Sequence, residues 1–236
     1  MVCAGVLSRL LLLSLLSFGT AEEVSVNALR KIIDHIENTY QIEVGKEISQ
    51  YAVAIRLPKE YCTSNTQQSI TGLPDQATVH AELVTKKRTE YRLFVSENLI
   101  AARPFKRQEG NIFASEHSEY LLLNKIWKDE KTPMTHLTSG HPDDCVVFYT
   151  YNSPCLRQCL NTDGEEKNII TPLQNLVNTH TGPLAFVFNK IFDQHKESQG
   201  SQGKQLLSLA QAVPLYHCHG NDCVYCGNTE DAINKC

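Results

Sequence analysis

The feature that most constrains this chain is at its start. Arg9 precedes an uncharged, mostly apolar run over residues 10–18, followed by the small residues Gly19 and Ala21 and the acidic pair Glu22 and Glu23. A basic n-region, an apolar h-region and a small-residue cut site read as a signal peptide cleaved after Ala21. A bilayer-spanning helix needs about 20 apolar residues, so the run is too short for an anchor and no stable membrane association is expected. Removing 21 of 236 residues leaves 215, and loss of Arg9 takes the net charge from −4 to −5. Eight of the nine cysteines, all but Cys3, then enter an oxidising compartment. There they are expected as disulfides or metal ligands, not as free thiols.

Composition narrows the class further. With 42% apolar and 20% charged residues the chain is not a disordered tail. A negative net charge excludes bulk electrostatic coating of nucleic acid or anionic membrane.

Along the chain, Leu29, Ile32, Ile33, Ile36 and Tyr40 recur at helical spacing, with Asn27 as the expected N-cap. Residues 51–58 read as a buried strand ended by Pro58, and residues 59–80 as a polar loop or insertion. A second extended stretch follows over residues 91–95, after the basic turn of Lys86, Lys87 and Arg88. Residues 116–127 fit a mostly buried helix, and residues 145–150 form a strongly β-prone run. Pro154 is placed to open a helix after that run. Residues 185–188 read as a short strand, residues 198–203 as a loop and residues 206–212 as a short helix. Alternating helices and short apolar strands indicate an α/β domain. We divide the chain into a signal peptide (1–21), an N-terminal helical segment (22–48), a main domain (49–215) and a Cys-rich C-terminal tail (216–236).

The chemistry is carried by two short stretches: His117-Ser118-Glu119 at the head of one expected helix, and Pro154-Cys155 with Cys159 at the head of another. One imidazole and two thiolates make a three-ligand zinc site with an open fourth position. Zinc lowers the pKa of water to about 7, which makes a hydroxide nucleophile available at neutral pH. Cys155 and Cys159 are four apart and share one helix face. His117 and Glu119 lie roughly 200° apart on a continuing helix, so they can share a site only at its first turn. Glu119 then stays off the metal and moves protons. His-x-Glu alone selects nothing here, because His35-Ile36-Glu37 and His80-Ala81-Glu82 match it too. Only His117 heads an apolar helical run that precedes a β run ending in Pro-Cys.

The pattern resembles the zinc-dependent cytidine deaminase superfamily, whose signature is His-x-Glu followed by Pro-Cys-x-x-Cys. Within it, the Ser153-Pro154-Cys155 run and the signal peptide are similar to the secreted novel AID/APOBEC-like deaminases of fish and other vertebrates. The resemblance covers roughly residues 50–215. It implies a cytidine-deaminase-like α/β fold, a five-stranded mixed sheet flanked by helices, here with a disulfide-stapled tail. It also implies one Zn2+ on His117, Cys155 and Cys159, Glu119 as proton shuttle, and conversion of cytosine to uracil. The spacing here is Cys-x3-Cys where the pattern has Cys-x2-Cys, and Asn152 stands where related mutators often carry Trp.

Candidate substrate contacts are Tyr149 and Tyr151 for stacking, Ser153 beside the metal ligands, and Arg103, Lys106 and Arg107 for phosphate. The expected activity is deamination of cytosine in single-stranded nucleic acid outside the cell. A free cytidine or nucleotide deaminase and a non-enzymatic extracellular interaction protein are the alternatives. Apart from the zinc pair, Cys62, Cys145, Cys218, Cys223, Cys226 and Cys236 allow 15 pairings. The tail is expected to use disulfides instead of a second zinc site.

Overall fold

A computed structural model describes residues 23–63, 69–85, 91–109, 112–124, 131–161, 167–192, 199–234 and 236. The expected signal peptide and the basic turn of Lys86, Lys87 and Arg88 lie outside these residues. In chain order, helix α1 (Val26–Tyr40) leads through a small hairpin, β1 (Glu43–Val44) and β2 (Glu47–Ile48), into β3 (Ala52–Leu57). Helices α2 (Glu60–Thr63) and α3 (Gln76–Val84) precede β4 (Leu93–Val95) and β5 (Leu99–Ala102). A second hairpin, β6 (Phe105–Glu109) and β7 (Ile112–Glu116), runs into α4 (Ser118–Leu123) and α5 (Pro133–Thr138). Then come β8 (Cys145–Asn152), α6 (Ile170–Thr179), β9 (Leu184–Lys190), α7 (Gln199–Ala212), β10 (Leu215–His219), β11 (Asp222–Tyr225) and α8 (Glu230–Ile233).

The main sheet is mixed and has seven strands in the order β11-β10-β9-β8-β3-β5-β4, not five. Two departures raise the count. The stretch after residue 91 folds back on itself as β4 and β5, and the C-terminal tail adds β11 beyond β10. Strands β8, β9 and β10 run parallel, whereas β3 lies antiparallel to β8 and β5. Central strands covered on both faces must be apolar at nearly every position. Accordingly, β3 is buried throughout, and β8 and β9 are buried up to their last two residues.

Two cores lie on the two faces. On one, Val53, Val147, Tyr149 and Val187 pack against Leu29, Ile33 and Ile36 of α1 and against Val79 and Leu83 of α3. On the other, Ala54, Phe148 and Phe186 pack against Leu121 and Leu122 of α4, Leu173 of α6 and Leu209 of α7. The apolar stripe of α1 is as its spacing predicts, but the helix begins one residue earlier than Asn27 and Ser25 occupies its N-cap position. Residues 59–80 are not a plain loop: α2 buries Cys62, and α3 is capped by the Asp75 carboxylate on the Thr78 N–H.

Three disulfides form: Cys62–Cys145, Cys218–Cys223 and Cys226–Cys236. Both tail bridges lie within the tail. The tail is joined to the domain by strand pairing, since β10 adds parallel to β9. Among the described residues no helix is long and apolar enough to cross a membrane.

Candidate functional site

The site forms where two chain segments leave regular structure. Strand β7 ends at Glu116, and His117 takes an extended conformation (φ −80°, ψ 155°) at the N-cap position of α4. Its carbonyl accepts the Leu121 N–H at 3.1 Å, so its backbone starts the helix while its ring makes no cap bond. Glu119 lies one residue inside the helix. Because His117 stands outside the helix, the angular conflict of a continuing helix does not arise, and both side chains project from the same end.

The second segment follows β8. A continuous helix was expected from Pro154, but residues 156–159 form a single turn closed by the Leu160 N–H on the Cys155 carbonyl at 3.1 Å. The Ile169 N–H holds the Cys159 carbonyl at 2.8 Å. That bond, more than helix periodicity, sets where Cys159 sits.

These segments bring His117, Glu119 and Cys159 together, with ligand atoms all within 4.8 Å of one another. Cys159 Sγ is 3.3 Å from His117 Nδ1. Tetrahedral zinc with its usual bond lengths to sulfur and nitrogen separates two such ligands by about 3.5 Å, so this pair fits the ion. Cys155 is not within that group. It is half-buried beside the same core and, like Cys159, unbridged. The six other described cysteines are in disulfides, which leaves free the two thiols the spacing assigns to metal. Burial pushes the Cys159 thiol well up, and the Glu119 charge adds to the effect. A bound cation reverses that balance, because a metal-bound thiol ionises outright.

Glu119 is 1% exposed and held by neutral donors. Ser118 Oγ donates to Oε2 at 3.0 Å, Thr150 Oγ1 to Oε1 at 2.9 Å, and Gln50 Nε2 to Oε1 at 3.2 Å. Sequence reasoning missed Gln50 and Thr150. Thr150 carried a signal, being a polar residue at an inward position of an otherwise apolar strand; Gln50, just before β3, carried none.

The proposed substrate contacts separate. Side chains alternate along a strand, so Tyr149 and Tyr151 face away from Thr150 and from Glu119. Tyr149 is fully buried against α1, with its hydroxyl on Glu37 at 3.0 Å, and Tyr151 stacks on Tyr51. Neither can receive a base at this site. Ser153 is buried, and its hydroxyl accepts the Phe192 N–H at 3.1 Å, which ties down the chain after β9. Arg103 is 8% exposed and donates to Ser49 Oγ and the Leu83 carbonyl, so it is an internal brace and not a phosphate contact. Lys106 and Arg107 pair through their backbones with Ser115 and Ala114 in the hairpin leading into His117. Their side chains lie outside what the structure describes.

A family model described as Secreted Novel AID/APOBEC-like Deaminase 1 matches residues 26–236. No curated protein matches the chain. No solved structure matches it either.

Proposed function

The chain belongs to the secreted novel AID/APOBEC-like deaminase family, and from that premise we propose that it is a secreted zinc enzyme that hydrolyses cytosine to uracil in single-stranded nucleic acid. The observation that carries the zinc reading is the exclusion of Cys155 and Cys159 from the disulfides, with Cys159 beside His117 and Glu119. His117, Cys155 and Cys159 would hold the ion, Cys155 by a side-chain movement into the group. When bound, zinc supplies positive charge and an acidified water.

The chain's own part falls to Glu119. It lies beside His117 and Cys159 as the single carboxylate of the group, and this reading keeps it off the metal. In the hydrolysis water adds at C4, the C4–N bond breaks, and ammonia leaves. Glu119 takes the water proton, passes it to the ring nitrogen N3, and carries a further proton to the departing amine. A base inside a duplex stack cannot reach such a carboxylate, so the substrate is an unpaired or flipped base.

The loss of Tyr149, Tyr151 and Arg103 as substrate contacts supports a second reading, a free cytidine or nucleotide deaminase, which needs neither a stacking platform nor a phosphate track. The test is purified mature protein on a cytosine-bearing single-stranded DNA oligonucleotide beside free cytidine, with zinc counted on the same sample. Conversion of the oligonucleotide, abolished in Glu119→Gln, is the expected result. Conversion of cytidine alone moves the assignment to the nucleoside enzyme, and folded protein without zinc overturns the metal site.

A further inference from the structure

We propose that Gln50 is the positioning residue for Glu119, fixing the plane and direction of its carboxylate; the inference rests on the functional reading above. Gln50 lies just before β3, where the Tyr51 carbonyl accepts the Tyr151 N–H at 3.1 Å and sets the two strand ends in register. Its amide therefore sits beside Asn152 and above Thr150. Gln50 Oε1 accepts both the Asn152 backbone N–H and Asn152 Nδ2, each at 2.9 Å. Those two donors settle the orientation of the amide. A flipped group would set its NH2 against two N–H groups and its oxygen against a carboxylate. Nε2 must therefore face the site. There it lies 2.8 Å from Thr150 Oγ1, 3.2 Å from Glu119 Oε1 and 3.2 Å from Ser118 Oγ.

The Thr150 hydroxyl has two acceptors in reach, Glu119 Oε1 at 2.9 Å and the Asn152 carbonyl at 3.1 Å, and the carboxylate is the nearer and the charged one. Ser118 gives its proton to Oε2 of Glu119 and Thr150 gives its own to Oε1. Thr150 can do so because Nε2 of Gln50 supplies the hydrogen bond that its oxygen accepts. Gln50 thus acts on Glu119 twice, directly and by orienting the Thr150 hydroxyl. Its partners Thr150, Ser118 and Glu119 are anchored in β8 and α4, so the carboxylate is held on both oxygens before any substrate arrives. A proton carrier must meet its partners within hydrogen-bond reach, and a displacement of about 1 Å can cost on the order of a hundredfold in rate. The arrangement accounts for a half-buried amide that packing alone does not require.

The test compares Gln50→Ala, Gln50→Glu, Thr150→Val and Thr150→Ser in zinc-loaded mature protein, on whichever cytosine substrate the wild type converts. Gln50→Ala is expected to lower kcat about 10- to 100-fold with KM within about threefold and zinc unchanged. Gln50→Glu keeps the Asn152 contacts but turns an oxygen toward Glu119, and serves should the alanine variant not fold; it is expected to fall at least as far. Thr150→Ser keeps the rate and Thr150→Val loses it. The Gln50→Ala, Thr150→Val double variant is expected to lose less than the product of the single losses. An unchanged kcat in Gln50→Ala, or a loss confined to KM, overturns the proposal. A readout independent of turnover is the side-chain amide of Gln50 by NMR: slow exchange, and a shift in Glu119→Gln, are expected. Wild-type protein that converts no cytosine substrate overturns the functional reading, whereas a Gln50 amide exchanging at the solvent rate overturns its contact with Glu119.

Discussion

Two carboxylates, Glu37 and Glu119, end the same tripeptide pattern and bind neighbouring residues of one strand, yet only Glu119 has the surroundings that the proposed chemistry needs. Glu37 lies in α1 and takes the Tyr149 hydroxyl at 3.0 Å, Asn189 Nδ2 at 2.6 Å and the Arg30 guanidinium at 3.0 Å. Glu119 lies on the opposite face and takes Thr150, Ser118 and Gln50, all neutral. Among the described residues no lysine or arginine is ion-paired with it. His35 sits mid-helix and meets Tyr40 edge-on at 5.9 Å, so it cannot turn to the face of Glu37. His117 stands outside α4 and can. The difference teaches that the motif acquires its chemistry from its place at a helix start. A carboxylate answered by an internal cation is a structural tie. One held by neutral donors beside the unbridged Cys159 is left available for the chemistry proposed here.

The largest expected effect tests that contrast directly. Glu119→Gln should lower turnover by about a hundredfold to ten-thousandfold, the usual range for a lost proton carrier, with zinc content and folding intact. Glu37→Gln should do the reverse: activity within about twofold, and a stability loss of about 1–3 kcal/mol in chemical denaturation, as the buried Tyr149 hydroxyl loses a charged acceptor while half-buried Arg30 keeps Asp34. Inactivity in both variants would erase the distinction between the faces.

Next comes the division among the cysteines. Cys159→Ser and Cys155→Ser should each lose zinc by elemental analysis, although only Cys159 stands in the assembled group. Retention of zinc by Cys155→Ser would leave the ion to His117 and Cys159 with a ligand from elsewhere. The paired Cys62→Ala, Cys145→Ala variant should keep its zinc and lose about 2–5 kcal/mol, the usual cost of removing a native disulfide from a secreted domain. Metal binding and covalent bracing would then separate by variant, as the unbridged and bridged cysteines separate in the fold.

How much of this was legible depends on how locally each feature is specified. The stripe of α1, the apolar run of β8 and the setting apart of Cys155 and Cys159 from the disulfides were readable, because periodicity and spacing carry them within a few residues. Strand β5 was not: it is four residues long, too short to show a period. The tail strands were hidden because cysteines there read as staples, whereas pairing with β9 is a contact between distant segments. In α6, Pro172 at the third helical position and a mixed polar run masked a real helix. The two tyrosines were misplaced for one reason. Alternation says that Tyr149 and Tyr151 share a face, but only the packing of α1 against that face says which one it is. Gln50 was invisible because its partners lie 68 to 102 residues away in the chain.

The smallest expected effect compares the two faces by pH. His180, at the end of α6 on the site face, is 3% exposed, and burial lowers its pKa more than the nearby Asp144 and Asp143 carboxylates raise it. His35, on the other face, is half-buried and is lowered by burial alone. A histidine held below its unfolded pKa takes up fewer protons folded than unfolded as the solution is acidified. Its contribution to stability is complete above about pH 6.5 and is lost as the pH falls from there toward the folded value. Unfolding free energy measured between pH 8 and pH 5 should therefore decline below about pH 6.5. Replacing His180 by Gln should flatten that decline by at most one proton per chain. Replacing His35 by Gln should flatten it less, since a half-buried ring pays a smaller desolvation penalty on protonation. An equal flattening by both would mean that water reaches His180 as freely as His35, and that the site face opens at that end of α6.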